Sequence, residues 1–258
     1  MYYRPAGHFS YGPYPYATKQ RSFSTTSQMV SYAKNSITIW YDVLGISISS
    51  GMNLFEENPG LEKIILPMKD AQVSYYPNFY TQAEASVLQD KIQQQTPWQE
   101  DDIKLFGKVF KQPRLTALYG DTNKPYSYSN ITMFPQQWSP TLLKIKQDIE
   151  AVSNQKFTSV LLNLYRDGKD SNGWHSDDEK ELGTHPFIAS LSFGAKRIFH
   201  FRHKTDASLK FKIELEPGSL LLMGGPTQEF WKHQIPKTKR KIDPRVNLTF
   251  RRIKDKTD

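Results

Sequence analysis

The chain reads Arg245-Val246-Asn247-Leu248-Thr249-Phe250-Arg251 near its end. Side chains of a β-strand point alternately to opposite faces, so one face here is apolar and the other carries two guanidinium groups and an amide. Buried arginines need anions, and their planar donors suit a carboxylate. The pattern therefore predicts a strand with a core face and an anion-binding face. An edge strand with two solvated arginines is the alternative.

Five further short runs, rich in β-branched and aromatic residues and separated by Gly, Pro, Asp and Lys, precede this strand at 160–165, 187–193, 198–201, 209–215 and 220–223. Thr81 with Glu84 forms the signature of a capping box and starts a helix over 82–95. Ser139 and Pro140 start a second helix that runs to about 153. Many short strands with two helices predict an α+β, mainly β fold, a sandwich or jelly roll with outer helices.

The first 41 residues differ from the rest of the 258-residue chain, and residues 42–66 are ambiguous. Residues 1–41 contain no acidic residue and are rich in Tyr, Ser, Thr and Pro. A disordered leader is the expectation, with an organelle transit peptide as the alternative, although several prolines oppose the amphipathic helix of such a signal. We therefore predict a leader over 1–66 and one domain over 67–258.

The composition restricts the chemistry. The chain has no cysteine, which excludes disulfides, zinc-thiolate sites and a cysteine nucleophile, so any metal must be bound by His, Asp or Glu. A net charge of +8 and 13% aromatic residues suit a protein that binds phosphates and stacks on bases. No run approaches the roughly 20 apolar residues that span a bilayer. We expect a monomer without a membrane partner, in the cytoplasm or nucleus, with mitochondrial targeting as the alternative.

Three residues have the spacing of a metal site. His175 and Asp177 lie two apart, so an extended segment presents both on the same face, and His233 follows 58 positions later beside another strand-like run. Two histidines and one carboxylate form the facial triad of non-haem Fe(II) oxygenases, which leaves positions open for cosubstrate and oxygen. A chance pairing without a metal is the alternative for His-x-Asp alone.

Together, four ordered motifs resemble the AlkB family, especially its DNA-repair members: NLYRDG at 163–168, WHSDDE at 174–179, ASLSFGA at 189–195 and RVNLTFR at 245–251. The resemblance covers about residues 70–253 and implies a double-stranded β-helix (jelly roll) with outer helices. It also implies an Fe(II)- and 2-oxoglutarate-dependent dioxygenase that consumes O2. By this resemblance iron is bound by His175, Asp177 and His233, and 2-oxoglutarate by Asn163, Tyr165, Arg245, Asn247 and Arg251.

Candidate substrate contacts lie in a substrate lid at about 98–136 and beside the triad. The segment 104–114 reads as a hairpin in which Phe106, next to a glycine and between lysines, could insert between base steps; inward packing is the alternative. Arg114 ends this segment. Tyr126 and Tyr128 share a face and could bracket a flipped base, or simply pack in a sheet. The resemblance implies that Tyr128 stacks on His175 and that Tyr126 and Glu179 contact the base edge.

The expected function is oxidative dealkylation of N-alkylated bases such as 1-methyladenine and 3-methylcytosine in DNA, a direct reversal of damage. Two alternatives stay open: a 2-oxoglutarate oxygenase acting on RNA or protein, and a non-catalytic nucleic-acid-binding barrel. Ten Lys and Arg against three Asp and Glu over residues 232–258 are compatible with a phosphate-contacting rim or with a solvated basic loop.

Overall fold

The structure, a computed structural model, describes residues 27–31, 38–42, 61–105, 107–122, 126–128 and 131–254. Side chains are described for 61–103, 107–122 and 133–254. Within these ranges, no helix has both the length and the apolar character needed to cross a membrane.

The described residues form seventeen strands and three α-helices. The helices are α1 (Gln82–Gln95), α2 (Pro140–Ser153) and α3 (Thr227–Phe230). The strands are β1 (Ser27–Ser31), β2 (Thr38–Asp42), β3 (Ile64–Ile65), β4 (Gln72–Tyr76), β5 (Asp102–Leu105), β6 (Lys108–Lys111), β7 (Leu115–Gly120), β8 (Tyr126–Tyr128), β9 (Ile131–Met133), β10 (Ser159–Tyr165), β11 (Asn172–His175), β12 (Ile188–Gly194), β13 (Arg197–His203), β14 (Lys210–Leu215), β15 (Ser219–Gly224), β16 (Trp231–Ile235) and β17 (Arg245–Arg251).

Two antiparallel sheets make up the jelly roll. The larger sheet has seven strands in the order β3-β4-β15-β12-β17-β10-β7, and the smaller has six in the order β1-β2-β14-β13-β16-β11. All six runs predicted as strands are strands, and both predicted helices are present with their predicted caps, Thr81 with Glu84 for α1 and Ser139 for α2. The mainly β prediction is confirmed.

A first apolar core lies between the two long helices and the larger sheet. Ile145 and Ile149 of α2 and Ile92 of α1 pack there against every second residue of β10 and β17, among them Leu162 and Leu248. These side chains are excluded from water, and burial of apolar area is the main favourable term in folding. The outer helices therefore fix the apolar face of the strand that the sequence singled out.

A second apolar core lies between the two sheets. Phe201 and Ile213 of the smaller sheet meet Ile188 and Met223 of the larger one. The larger sheet is thus covered on both faces. The polar residues of β10 and β17 point towards the smaller sheet, and there they line a cavity together with His175 and His233. The predicted metal and cosubstrate residues line this gap in an otherwise apolar interior.

The segment expected as a lid, about 98–136, contains two hairpins with a sheet strand between them. The hairpin predicted over 104–114 is formed by β5 and β6, and β8 pairs with β9. Between them β7 pairs with β10 and is buried in the larger sheet. A lid could therefore consist of the hairpins alone, and its action stays a prediction.

Part of the predicted leader pairs with the domain. β1 pairs with β2, and β2 pairs with β14 at the edge of the smaller sheet. β3, just before the predicted boundary at residue 66, pairs with β4. The division at 66 stays a prediction, since the pairing alone does not show that the domain needs these strands to fold.

Candidate active site

The three predicted metal ligands converge on one point of the smaller sheet. His175 ends β11 and lies directly opposite His233 of β16 in the strand pairing. Asp177 follows two residues after His175. One ligand atom from each of the three side chains lies within 4.8 Å of the others, and Nε2 of His233 is 3.5 Å from Oδ2 of Asp177. Two imidazoles and one carboxylate oxygen therefore face a common point.

The electrostatic environment prepares this cluster to bind a cation. Burial alone would raise the pKa of Asp177, but the Arg251 guanidinium and the two imidazoles hold it at about 2. Burial lowers the pKa of His233 to about 3, and burial also lowers the pKa of His175. At neutral pH the aspartate is ionised and the histidines are neutral, the protonation states that metal ligands require.

Hydrogen bonds and a ring contact fix the orientation of the three predicted metal ligands. Nδ1 of His175 lies 2.8 Å from the carbonyl oxygen of Gly173, so Nδ1 carries the proton and Nε2 presents its lone pair. The Phe199 ring stacks on His233 with centroids 5.1 Å apart. The backbone N–H of Asp177 donates to Oε1 of Gln228 at 3.0 Å. Each ligand is thereby oriented by a different element.

Arg251 is hydrogen-bonded to the carboxylate of Asp177, one of the predicted metal ligands. Its Nη2 and Nε both donate to Oδ1 of Asp177, at 2.5 and 3.2 Å. The two residues are almost completely buried, so each neutralises the charge of the other. Oδ1 faces Arg251 and Oδ2 faces His233, which leaves Oδ2 as the oxygen that could bind a metal. The predicted contact of Arg251 with 2-oxoglutarate stays a prediction.

Arg245, at the other end of β17, is a buried cation with incomplete bonding. It is 1% exposed, and Nη2 donates to Oγ of Ser192 at 2.9 Å. Nε and Nη1 make no hydrogen bond in the part of the chain that the structure describes, although the nearby Tyr165 favours the charged form of the guanidinium. Burial lowers the pKa of Arg245 to about 10. A buried guanidinium with two unused donors fits an anionic ligand in the cavity.

The remaining predicted cosubstrate residues line the same cavity. The Arg245 guanidinium lies over the Tyr165 ring, 5.2 Å from its centroid. Oδ1 of Asn163 accepts from Nε of Arg114 at 2.7 Å, so the Asn163 amide is held in one orientation. Asn247 instead donates to Ser190 and to the carbonyl of Leu191, so both of those bonds tie it to β12.

The structure describes only some of the predicted substrate contacts. Phe106 lies outside the described residues, and the side chains of Tyr126 and Tyr128 are likewise not described, although both residues belong to β8. Arg114 is buried and donates to Asn163 and to the carbonyl of Ser171, so its environment is internal rather than that of a surface contact. Glu179 is half-buried, with Oε2 inaccessible to water.

Three residues of this site were not singled out from the sequence: Ser192, Gln228 and Asn172. Ser192 lies within the ASLSFGA motif, and its position on the polar face of β12 was available from the strand period of two. Gln228 is in a four-residue helix with no recognisable local signal. Asn172 lines the cavity beside His175, where the sequence showed only a loop between two motifs.

Comparison with known proteins identifies the arrangement. The sequence model of a protein family, the 2OG-Fe(II) oxygenase superfamily, matches residues 72–251 of this chain. The human protein named alpha-ketoglutarate-dependent dioxygenase alkB homolog 3 is 42% identical over 207 residues, which are 76% of this chain and 72% of that protein. The chain belongs to the AlkB family of 2OG-Fe(II) oxygenases. The mouse protein named DNA oxidative demethylase ALKBH2 is 39% identical over 188 residues, 69% of this chain and 79% of that protein.

A solved structure supports the fold of this AlkB-family chain. The structure of OsALKBH1 has a TM-score of 0.50 and 16% sequence identity, and the match covers 73% of this chain and 100% of that one. The family match and the similarity to alkB homolog 3 show that this chain is a 2-oxoglutarate-dependent dioxygenase that uses Fe(II) and O2. The donor set of the triad suits Fe(II), and the unused donors of Arg245 suit a carboxylate of 2-oxoglutarate.

Proposed function

We propose that this enzyme removes small alkyl groups from ring nitrogens of bases in DNA, such as those of 1-methyladenine and 3-methylcytosine, and so reverses alkylation damage directly. Two of the relatives named DNA oxidative demethylase ALKBH2, from cattle and humans, are each 43% identical to the chain over 158 residues. The net charge of +8 suits a polyanionic substrate. Action on RNA is the alternative, because it would use the same metal and cosubstrate residues.

In this proposal His175, Asp177 and His233 hold Fe(II), and Arg245 binds a carboxylate of 2-oxoglutarate with Tyr165 and Asn163 beside it. The loaded centre supplies hydroxylation of the alkyl carbon: one oxygen atom of O2 enters the substrate and the other enters succinate, with release of CO2. The hydroxylated carbon then leaves the ring nitrogen as an aldehyde. The protein orients the base and excludes water from the metal.

The observation that carries the proposal is the carboxylate of Glu179. Its Oε2 is buried, and no hydrogen-bond partner for it exists among the described residues. Burial raises the pKa of Glu179, although Arg251 opposes this rise. A base with an exocyclic amino group, such as adenine or cytosine, would give Oε2 a donor once the Glu179 side chain turned towards it. Alkylation of the ring nitrogen also makes the base cationic, which an ionised Glu179 would stabilise.

The other substrate contacts are proposed from the sequence. Phe106, which lies between β5 and β6 in the sequence, would insert into the duplex, and Tyr126 and Tyr128 of β8 would hold the flipped base. Arg114 is buried, so in this proposal it would affect the site only through its hydrogen bond to Asn163. A monomer, and a location in cytoplasm, nucleus or mitochondrion, remain expectations from the sequence.

The test is a panel of oligonucleotides incubated with Fe(II), 2-oxoglutarate and purified enzyme. Each carries 1-methyladenine, 3-methylcytosine or 5-methylcytosine, in single-stranded DNA, duplex DNA and RNA. We expect demethylation of the first two bases in DNA, read by mass and matched by equal amounts of succinate and formaldehyde, and no change in 5-methylcytosine, whose methyl group is on carbon. Demethylation confined to RNA would refute the DNA assignment, and no demethylation in any oligonucleotide would refute the proposal.

Glu179→Gln tests the base contact, with Glu181→Gln as the matched control because Glu181 is exposed two residues away. Removing the negative charge should lower the rate on both methylated bases by about ten-fold or more, the usual scale for losing a charge-assisted hydrogen bond. The control should retain the full rate. Equal rates in the two variants would remove Glu179 from the substrate site.

A further inference from the structure

The pairing of β11 with β16 contains an irregularity beside the metal ligands. Asn172 pairs with Ile235, and His175 pairs with His233. The chain advances three residues along β11 but only two along β16 between these pairs, so β11 carries one extra residue. Such an insertion is a β-bulge, which locally re-aims side chains and is common next to active sites.

The bulge changes the direction of Asn172. Residues three apart on a regular strand point to opposite faces, which would place Asn172 on the outer surface of the smaller sheet if His175 faces inward. The extra residue reverses this. Asn172 lines the same cavity as His175, Asn163 and Arg245, and it is half-buried there.

The Asn172 amide contacts the nitrogen of His175 that faces the metal site. Nδ2 of Asn172 lies 3.3 Å from Nε2 of His175. Since Nδ1 of His175 donates to the Gly173 carbonyl, Nε2 is the acceptor and the Asn172 amide is the donor. The two residues are thereby joined through the lone pair that His175 would give to a metal ion.

Metal binding and this hydrogen bond are mutually exclusive. A lone pair bonded to Fe(II) no longer accepts a hydrogen bond, so in the loaded enzyme the Asn172 amide is released to donate to another acceptor at the same place. Three positions of a facial triad are open to exogenous ligands, and a 2-oxo acid fills such positions with oxygen atoms. An anionic oxygen makes the stronger, charge-assisted acceptor.

We propose that Asn172 is a further cosubstrate-binding residue, which donates its amide hydrogen to the metal-bound end of 2-oxoglutarate. The bulge is the structural device that makes this residue available. The inference rests on the dioxygenase chemistry of the family and not on the nature of the substrate, so it can fail or hold independently of the proposed action on DNA.

Two variants and one control test the proposal. Asn172→Leu keeps a similar volume but has no donor, and Asn172→Asp replaces the amide by a carboxylate that repels an anion. Gln234→Leu is the control, because Gln234 adjoins His233 on the opposite face of β16. Binding is measured without turnover: Mn(II) alone is titrated first, and 2-oxoglutarate is then titrated into the Mn(II)-loaded protein by calorimetry.

We expect Asn172→Leu to weaken 2-oxoglutarate binding by roughly ten-fold or more, on the scale of one hydrogen bond to a charged group, and Asn172→Asp to weaken it further. Mn(II) affinity should change by less than about three-fold in Asn172→Leu, and Gln234→Leu should match the parent protein in both titrations. Unchanged 2-oxoglutarate binding in both Asn172 variants would overturn the proposal. Weakened Mn(II) binding in Asn172→Leu would also overturn it, since Asn172 would then act by orienting His175.

Discussion

The two arginines at the ends of β17 are similarly buried, but their hydrogen bonds differ. Arg245 and Arg251 are both almost completely buried and face the same cavity. Arg251 donates two hydrogen bonds to Asp177. Arg245 donates to a neutral serine hydroxyl, while Nε and Nη1 make no hydrogen bond to the described residues.

This difference predicts different roles for the two arginines: Arg251 holds a carboxylate of the protein, whereas Arg245 has donors left for an anionic ligand. A buried charge that has its counterion within the fold contributes to holding that counterion in place, here the carboxylate that could bind the metal. A buried charge without one destabilises the empty protein and gives binding energy back when an anion arrives. One strand therefore holds the Asp177 carboxylate at one end and is predicted to bind the cosubstrate at the other.

The largest effect is expected from Asp177→Ala. Turnover should fall below detection because the metal loses its anionic ligand, and the free energy of unfolding of the metal-free protein should fall by about 3–5 kcal/mol because Arg251 remains buried without its partner. Succinate release and urea unfolding measure the two effects. The control His175→Ala should also abolish turnover but cost only about 1–2 kcal/mol, and an equal loss of stability in both variants would contradict the role given to Arg251.

Replacing each arginine by methionine should separate the two ends of β17. Arg245→Met should weaken 2-oxoglutarate binding by roughly ten- to a hundred-fold, yet leave the metal-free protein as stable as the parent or more so, because an incompletely bonded buried charge is removed. Arg251→Met should lower the free energy of unfolding by about 3–5 kcal/mol. Urea unfolding and calorimetry measure both quantities, and destabilisation of similar size in the two variants would eliminate the distinction.

A smaller effect is expected from mild acid. The unfolded chain binds a proton at His233 near about pH 6.5, whereas burial lowers the folded pKa to about 3. The unfolded state therefore binds more protons between these values, and the stability of the metal-free protein falls as the pH is lowered. From about pH 8 to about pH 5.5 this costs about 1.4 kcal/mol. Asp177, with its pKa lowered to about 2, contributes stability that is lost only below about pH 4.

Urea unfolding over this pH range gives the measurement, with His233→Gln as the control. The variant should show a shallower dependence on pH, because one of the residues that must stay neutral in the folded state has been removed. The same slope in the variant and the parent would show that His233 is not the group responsible.

Local periodicity determined much of the fold in advance. The alternation in β17 placed its arginines on one face and Val246, Leu248 and Phe250 on the other, and the structure confirms that the latter three lie in the helix-side core. The caps at Thr81 and Ser139 marked both helix starts. By contrast, the sequence did not predict β7 as a sheet strand within the segment expected as a lid. A short apolar run indicates neither which strand it pairs with nor how deeply it is buried.

For the site, the sequence by itself determined the candidate donor set and its spacing: His175 and Asp177 two apart, a later histidine beside a strand-like run, and two arginines on one strand face. These follow from side-chain direction, which repeats every two residues. Only the tertiary structure decided that Arg251 pairs with Asp177 while Arg245 does not, that Arg114 is internal, and that a bulge turns Asn172 towards His175. Such contacts join residues far apart in the chain or depend on a one-residue shift in register, and strand pairing sets both.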